Sequence, residues 1–307
     1  MLRLDSNEVL HLGLKFVSHK SHRQKHNTLV KNFRKYYRVE PKVLAKQWND
    51  LCRTDLPDAR VAKKNQNERG FKMFMACHYF LFTYPKNAQV FATNFQFGST
   101  DMVSGKKLWS WLGKIAALQH EKIIWPEERY KNPNSAKYVV TVDCVDCHIR
   151  EPKHPEKNID TSYSSHKFKK AGLRYELGID VHHPSLVWLS GPHKAGSDSD
   201  KKIFKQKDGL RDKLKKLVQY GKKGIADGGY EGHEKYLSLS STLDKGPVRE
   251  FKSRARSRHE GFNSEIKKYR SMATYWEQGR KKHGIAFRAV CVTLQYAMEN
   301  GSPLFDV

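Results

Sequence analysis

Residues 139 to 155 read VVTVDCVDCHIREPKHP, and two assignments compete for them. One takes Cys144, Cys147 and His148 as a C-x-x-C-H haem or metal site; the other takes the apolar run ending at Asp143 as a β-strand that delivers a carboxylate. A c-type haem needs the motif in a loop, with the histidine free to ligate iron and an exported or organellar setting, whereas here the motif continues strand-like sequence. Zinc asks for two further ligands, and the nearby His154 and His166 come without finger-like cysteine partners. A thioredoxin-like dithiol opens a helix, which this segment does not. The strand assignment makes Cys144 and Cys147 small residues beside an aspartate, and alternation sets Asp143 and Asp146 on opposite faces of the strand.

Downstream the period-two pattern repeats in LRYELGIDV (173–181) and SLVWLSGP (185–192), giving three strands in a meander. IFKQKDGLRDKLKKLVQYG has helical spacing, KKGIADGGY is a short strand run into a glycine-rich turn, VREFKSRARSRHEGFNSEIKKYR is a long helix, and GIAFRAVCVTLQYAMEN (284–300) is another amphipathic helix. Three strands, helix, strand, helix is an α/β arrangement, assigned to residues 137–307.

Upstream, residues 1–65 form a basic region with one helix expected over VEPKVLAKQWNDLC (39–52), and RVAKKNQNERG (60–70) reads as an exposed connection. FKMFMACHYFLFTYP (71–85) predicts a buried helix stopped before Pro85. NAQVFATNFQFG and a helix capped by Ser99 or Thr100, with Val103, Leu108, Trp109, Trp111, Leu112 and Ile115 inward, complete an all-α segment over 66–125. Such a segment is either helix-turn-helix-like, with its last helix in a major groove, or a subdomain that packs on its neighbour. The tryptophans on its apolar stripe are core rather than base-stacking platforms.

Across 307 residues, 57 Lys plus Arg face 32 Asp plus Glu, a formal charge of +25. The cations gather at Lys15–Lys46, Lys201–Lys223 and Arg249–Arg270, stretches poor in acids, so the expected partner is a polyanion, nucleic acid above all. Five cysteines without framework spacing point to a reducing, intracellular compartment, and no apolar run reaches the roughly 18 residues of a membrane span.

Asp143 ends the first strand, Asp227 ends KKGIAD and Glu260 lies midway along the long helix, so three elements supply three carboxylates able to converge. Carboxylate oxygens suit Mg²⁺ or Mn²⁺, and two such ions about 4 Å apart stabilise both the attacking and the leaving oxygen of a phosphoryl displacement. Ordinary surface acids at element ends are the competing reading. On the helix, Arg256, Glu260, Asn263 and Lys267 share a polar stripe. Lys252, Arg254, Arg256, Arg258 and Lys267 are the candidate contacts to a DNA backbone. His148, His193 and His259 are secondary candidates for proton transfer, with phosphate contact or packing the commoner role for such residues.

The stretches TVDCVDCHIREPKHP, SYSSHKFKKAGLRYELGI, LVWLSGPHKAGSDSDKKIF, GKKGIADGGYEG, REFKSRARSRHEGFNSEIKKY and HGIAFRAVCVTLQYAMENGSPLF, in that order, resemble the DDE-type endonuclease domain of PIF/Harbinger transposases from about residue 138 to the end. The helical N-terminal half also resembles the region preceding that domain. The resemblance implies an RNase H-like fold, with Asp143, Asp227 and Glu260 as catalytic metal ligands. It further implies a divalent-metal-dependent DNA endonuclease that cuts and joins transposon ends, acting as an oligomer in the nucleus beside a Myb-like accessory protein. Two departures stand out: Cys144 replaces the glycine usual after the first aspartate, and the segment after the third strand reads AGSDSDKKIF, where Asp200 is the matching acid. A catalytically silent relative that binds DNA or protein is the alternative.

Overall fold

The computed structural model describes residues 3–19, 24–53, 64–152, 159–239 and 244–307. It divides into two compact units. Met1–Lys122, Lys268–Met272 and Ile285–Ser302 form the first, and Ile123–Lys267, Ala273–Gly284 and Pro303–Val307 form the second.

The first unit contains α1 (Ser6–Phe16), α2 (His26–Tyr37), α3 (Pro41–Leu51), α4 (Lys64–Thr83), α5 (Ala88–Asn94), α6 (Asp101–Ser104), α7 (Lys106–Ala117) and α8 (Gln119–Lys122). Local chemistry fixes several helix starts. Asp5 accepts from the amides of Asn7 and Glu8 while Glu8 accepts from the Asp5 N–H, a reciprocal capping box on α1. Pro41 opens α3 with its preset φ, and Asn87 caps α5. In α2, Leu29, Phe33 and Tyr37 are buried at a spacing of four, leaving Lys31, Arg34 and Lys35 exposed. Both α1 and α2 fall in the region where only the helix over 39–52 was expected. The connection expected over 60–70 is also corrected: 64–70 is already helical, because no proline interrupts it and extending a helix nucleated by the apolar 71–83 costs little. Residues 60–63 lie outside the described residues. Trp111 stacks on Trp48 and Trp109 meets Phe80 edge-on, so the tryptophans of α7 serve packing.

In the second unit α9 (Glu127–Lys131) precedes a five-stranded sheet of β1 (Tyr138–His148), β2 (Gly172–Asp180), β3 (Leu186–Lys194), β4 (Lys223–Ala226) and β5 (Leu237–Leu239), in the order β3-β2-β1-β4-β5. The first three strands form an antiparallel meander, whereas β4 runs parallel to β1 and β5 parallel to β4. α10 (Asp200–Phe204) and α11 (Leu210–Lys215) follow β3, then come α12 (Gly246–Lys267) and α13 (Arg270–Ala273). α14 (Arg280–Glu299) begins in the second unit and ends in the first. The single helix expected from Ile203 onward is therefore two, parted at Asp208, whose φ of 59° no α-helix accommodates.

Side chains of β1 alternate between two cores. Val140 and Val142 pack with Phe204, Leu210, Leu214 and Tyr230 on one face. On the other, Thr141 bonds His259 of α12, and Ala255 of that helix packs on Ile225. A mixed sheet covered by helices on both faces is consistent with an RNase H-like nuclease fold. Gly178 permits the tight β2–β3 pairing here: a Cβ at that position would come within 2.8 Å of Trp188 Cβ.

Candidate active site

The strand extends through the C-x-x-C-H motif to His148, and this decides the competing assignments of 139–155. Cys144 lies 3.4 Å from the Tyr230 hydroxyl on one face, while Cys147 lies 3.8 Å from Lys267 Nζ on the other. Two thiols on opposite faces cannot chelate one ion. Burial pushes both thiols up, and the cysteines form no disulfide among the described residues. His154 lies outside the described residues.

The same alternation separates the two aspartates. Asp146 is buried, and both its oxygens are engaged: Arg174 Nε and Nη2 donate at 2.7 and 3.0 Å, and Ser165 Oγ at 2.6 Å. Asp143 faces α12, accepting from Asn263 Nδ2 at 2.9 Å and from the Cys144 amide at 2.7 Å.

The parallel pairing of β1 with β4 ends at Thr141 opposite Ile225, and two residues further along each strand stand Asp143 and Asp227. Asp227 turns the chain out of β4 by accepting the Gly229 amide at 2.9 Å. Glu260 is exposed on α12, which the sheet contacts of Ala255 and His259 hold in place. Asp143, Asp227 and Glu260 line one cavity of about 280 Å³ together with Thr141, Val142, Lys167, Arg256 and His259.

Burial raises the Asp143 pKa above the ordinary carboxylate range, and the charge of Asp227 adds to the rise. Lys167, the Cys144 amide and Arg256 pull it partly back. Asp200 approaches from α10, with Arg174 Nη1 2.9 Å from its Oδ1. A Cβ on Gly229 would lie 2.9 Å from Asp227 Oδ1 and 3.0 Å from Asp200 Oδ2, so only glycine leaves both carboxylates where they are. Asp200 too is raised, by burial first and by Asp143 in part.

His259 presents a defined tautomer. Thr141 Oγ1 donates to the Ile179 carbonyl at 3.2 Å, so it accepts from His259 Nδ1–H at 2.9 Å, leaving Nε2 unprotonated. Burial pushes this imidazole down to about 3, and Nε2 is buried without a hydrogen-bond partner. His259 is thus a neutral packing residue at the cavity wall. His193 bonds Ser190 Oγ at 3.0 Å, and His148 packs edge-on against Phe168; neither lines the cavity.

The donor set is of the hard-cation kind: carboxylate oxygens line the cavity, and neither Cys144, on the opposite face of β1, nor Cys147, beside Lys267, is among its lining residues. Among the described residues, no three His, Cys, Asp or Glu side chains are drawn close enough to hold an ion as they stand.

Two of the expected DNA contacts are corrected. Lys252 is buried and paired with Asp244 at 2.8 Å, and Arg258 is buried, its guanidinium donating to the carbonyls of Asp180 and Val181. Both sit three residues from Ala255, which puts them on the inner face of α12. Arg254 is exposed and donates to the Asp306 carbonyl at 3.0 Å, Arg256 is half-buried at the cavity, and Lys267 is half-buried and donates to the Asp146 carbonyl. The sequence singled out neither Lys167, which lines the cavity, nor Gly229, which sits against Asp227 and Asp200, nor Arg174, which pairs with Asp146 and Asp200. Nothing in the spacing of SYSSHKFKK distinguishes Lys167 from the other cations around it.

No curated protein and no solved structure matches the chain. A family model described as DDE superfamily endonuclease matches residues 142–295, a span that holds all three carboxylates and half of the sequence. With its mixed five-stranded sheet and flanking helices, the chain belongs to the DDE superfamily endonuclease family.

Proposed function

We propose that the protein is a divalent-metal-dependent DNA endonuclease of the PIF/Harbinger transposase kind, which cuts transposon ends and joins them to target DNA. One observation carries the reading: Asp143, Asp227 and Glu260, from β1, the end of β4 and α12, line a single cavity. Mg²⁺ or Mn²⁺, held by these three as a two-metal site, would supply electrostatic stabilisation of the attacking and leaving oxygens. The chain's own part is positional. Asn263 and the Cys144 amide orient Asp143, the Gly229 amide orients Asp227, and α12 sets the height of Glu260. In the reaction, a water oxygen bonds to phosphorus as the bond to the 3′ oxygen breaks; a proton leaves the water, and the leaving oxygen takes one from solvent. In the joining step the freed 3′-hydroxyl oxygen bonds to a phosphorus of the target strand as that phosphorus loses its bond to the target's 3′ oxygen; the attacking hydroxyl gives up its proton and the leaving 3′ oxygen takes one from solvent.

The helical first unit supplies a helix-turn-helix-like grip on DNA in this reading, with the cationic face of α2 (Lys31, Arg34, Lys35) among its contacts. A Myb-like accessory protein, assembly of several copies on DNA and a nuclear location complete the proposal. The test is Mn²⁺-dependent nicking of DNA carrying candidate terminal repeats, with chelator and Asp227→Asn as controls. Nicking abolished by both supports the nuclease. Salt-sensitive binding without cleavage under any divalent ion identifies a silent, binding-only relative instead.

A further inference from the structure

Lys167 is, with Arg256, one of two cationic side chains that line the cavity. It projects from the loop between β1 and β2, is exposed, and lines the same cavity as Asp143, Asp227 and Glu260. Its ammonium is not wedged against Asp143. Instead Nζ donates to the carbonyl of Cys144 at 3.0 Å, and Lys167 and Asp143 form no ion pair among the described residues. The charge is nonetheless felt at Asp143, where Lys167 is the strongest influence favouring the ionised form. A carbonyl of β1 thus parks the ammonium beside the carboxylates, with further N–H donors still available.

A phosphodiester entering this cavity meets carboxylates that repel it. Negative charge then accumulates on its non-bridging oxygens as the new bond forms, and a pre-placed donor is worth most where that charge develops. We infer that Lys167 is a catalytic residue, its ammonium donating to one non-bridging oxygen of the scissile phosphate from the β1–β2 side while Arg256 serves the α12 side. This rests on the nuclease reading above and adds to it a residue that binds the reacting group rather than a metal. A lysine that only strengthened DNA affinity would act mainly on the dissociation constant; one that grips the reacting phosphate acts on the chemical step.

The experiment compares full-length wild type, Lys167→Met and Lys167→Arg in three assays: single-turnover cleavage with Mn²⁺, DNA affinity in chelator, and Mn²⁺ binding by calorimetry. The substrates carry sulfur in place of either non-bridging oxygen at the scissile phosphate. Lys167→Met is expected to slow cleavage roughly 10²- to 10³-fold while DNA affinity falls less than about threefold and Mn²⁺ binding is no weaker. Lys167→Arg recovers part of the rate. Wild type discriminates between the two sulfur isomers, and Lys167→Met loses that discrimination at one of them. Equal rates for wild type and Lys167→Met, or a rate loss matched by lost DNA affinity with the isomer preference intact, would overturn the assignment. A wild type that cuts no DNA would remove the nuclease reading itself, an outcome distinct from a wild type that cuts equally well without Lys167.

Discussion

Asp143 and Asp227 each stand two residues past the last paired position of two neighbouring parallel strands, Thr141 on β1 and Ile225 on β4. Parallel strands advance together, so equal offsets bring the two carboxylates to the same level of the sheet. There the charge of Asp227 adds to the cost of ionising Asp143, on top of that residue's burial.

Asp143 and Asp146 are predicted to separate on substitution. Asp143→Asn removes a cavity carboxylate and keeps a side chain able to pack on Asn263, so cleavage is lost while the melting temperature stays near wild type. Asp146→Ala leaves Arg174 charged and buried without its main partner, which costs about 3–5 kcal/mol in urea unfolding. Equal stability loss in both variants would contradict the placement of the two aspartates on opposite faces.

Gly229→Ala is predicted to damage the site more than the fold. The added methyl would meet Asp227 Oδ1 at 2.9 Å and Asp200 Oδ2 at 3.0 Å and must push at least one carboxylate aside. A displacement of that order costs about 10²-fold in rate. Steady cleavage at the wild-type rate, with unchanged Mn²⁺ affinity, would show that these carboxylates need no fixed spacing.

Cations on α12 are predicted to divide by burial rather than by charge. Arg258→Ala exposes the carbonyls of Asp180 and Val181 to an unfilled cavity and should lower stability by about 2–4 kcal/mol. Arg254→Ala should leave the melting temperature unchanged and weaken DNA binding modestly, with a shallower salt dependence. The check is thermal unfolding beside fluorescence anisotropy on a labelled duplex.

Glu176 gives a pH signature. Buried on β2, with Trp188 Nε1 donating to one oxygen at 2.9 Å and the other oxygen without a partner, its carboxyl is pushed up to about 8 from an ordinary 4.5. The folded protein therefore holds a proton that the unfolded chain has released. Stability from this group is complete below about 4.5 and is lost as pH rises through about 8. Relative to Glu176→Gln, wild type should weaken across that window and run parallel above it; urea midpoints from pH 5 to 9 that track each other throughout would contradict a protonated Glu176.

The elements that carry the three acids are legible in the sequence. The period-two run into Asp143, the short strand before Asp227 and the polar stripe carrying Glu260 placed the three acids on the elements that hold them, because each signal is local. What failed was non-local or stereochemical. β5 has only Leu237–Leu239 and owes its existence to pairing with β4. Asp208 splits a run that looked like one helix. Lys252 and Arg258 read as DNA contacts because charge normally seeks water, yet Asp244 and the carbonyls ending β2 satisfy them inside. Lys167 carries no spacing signal at all; only the fold of the β1–β2 loop brings it to the cavity.

The most direct test is anomalous scattering from crystals of the protein bound to cleaved-end DNA and grown with Mn²⁺. Manganese peaks are expected in the cavity, about 2.1 Å from oxygens of Asp143 and Asp227, with Glu260 turned toward one of them. Crystals holding DNA in the cavity but no manganese beside these carboxylates would contradict the metal-dependent reading.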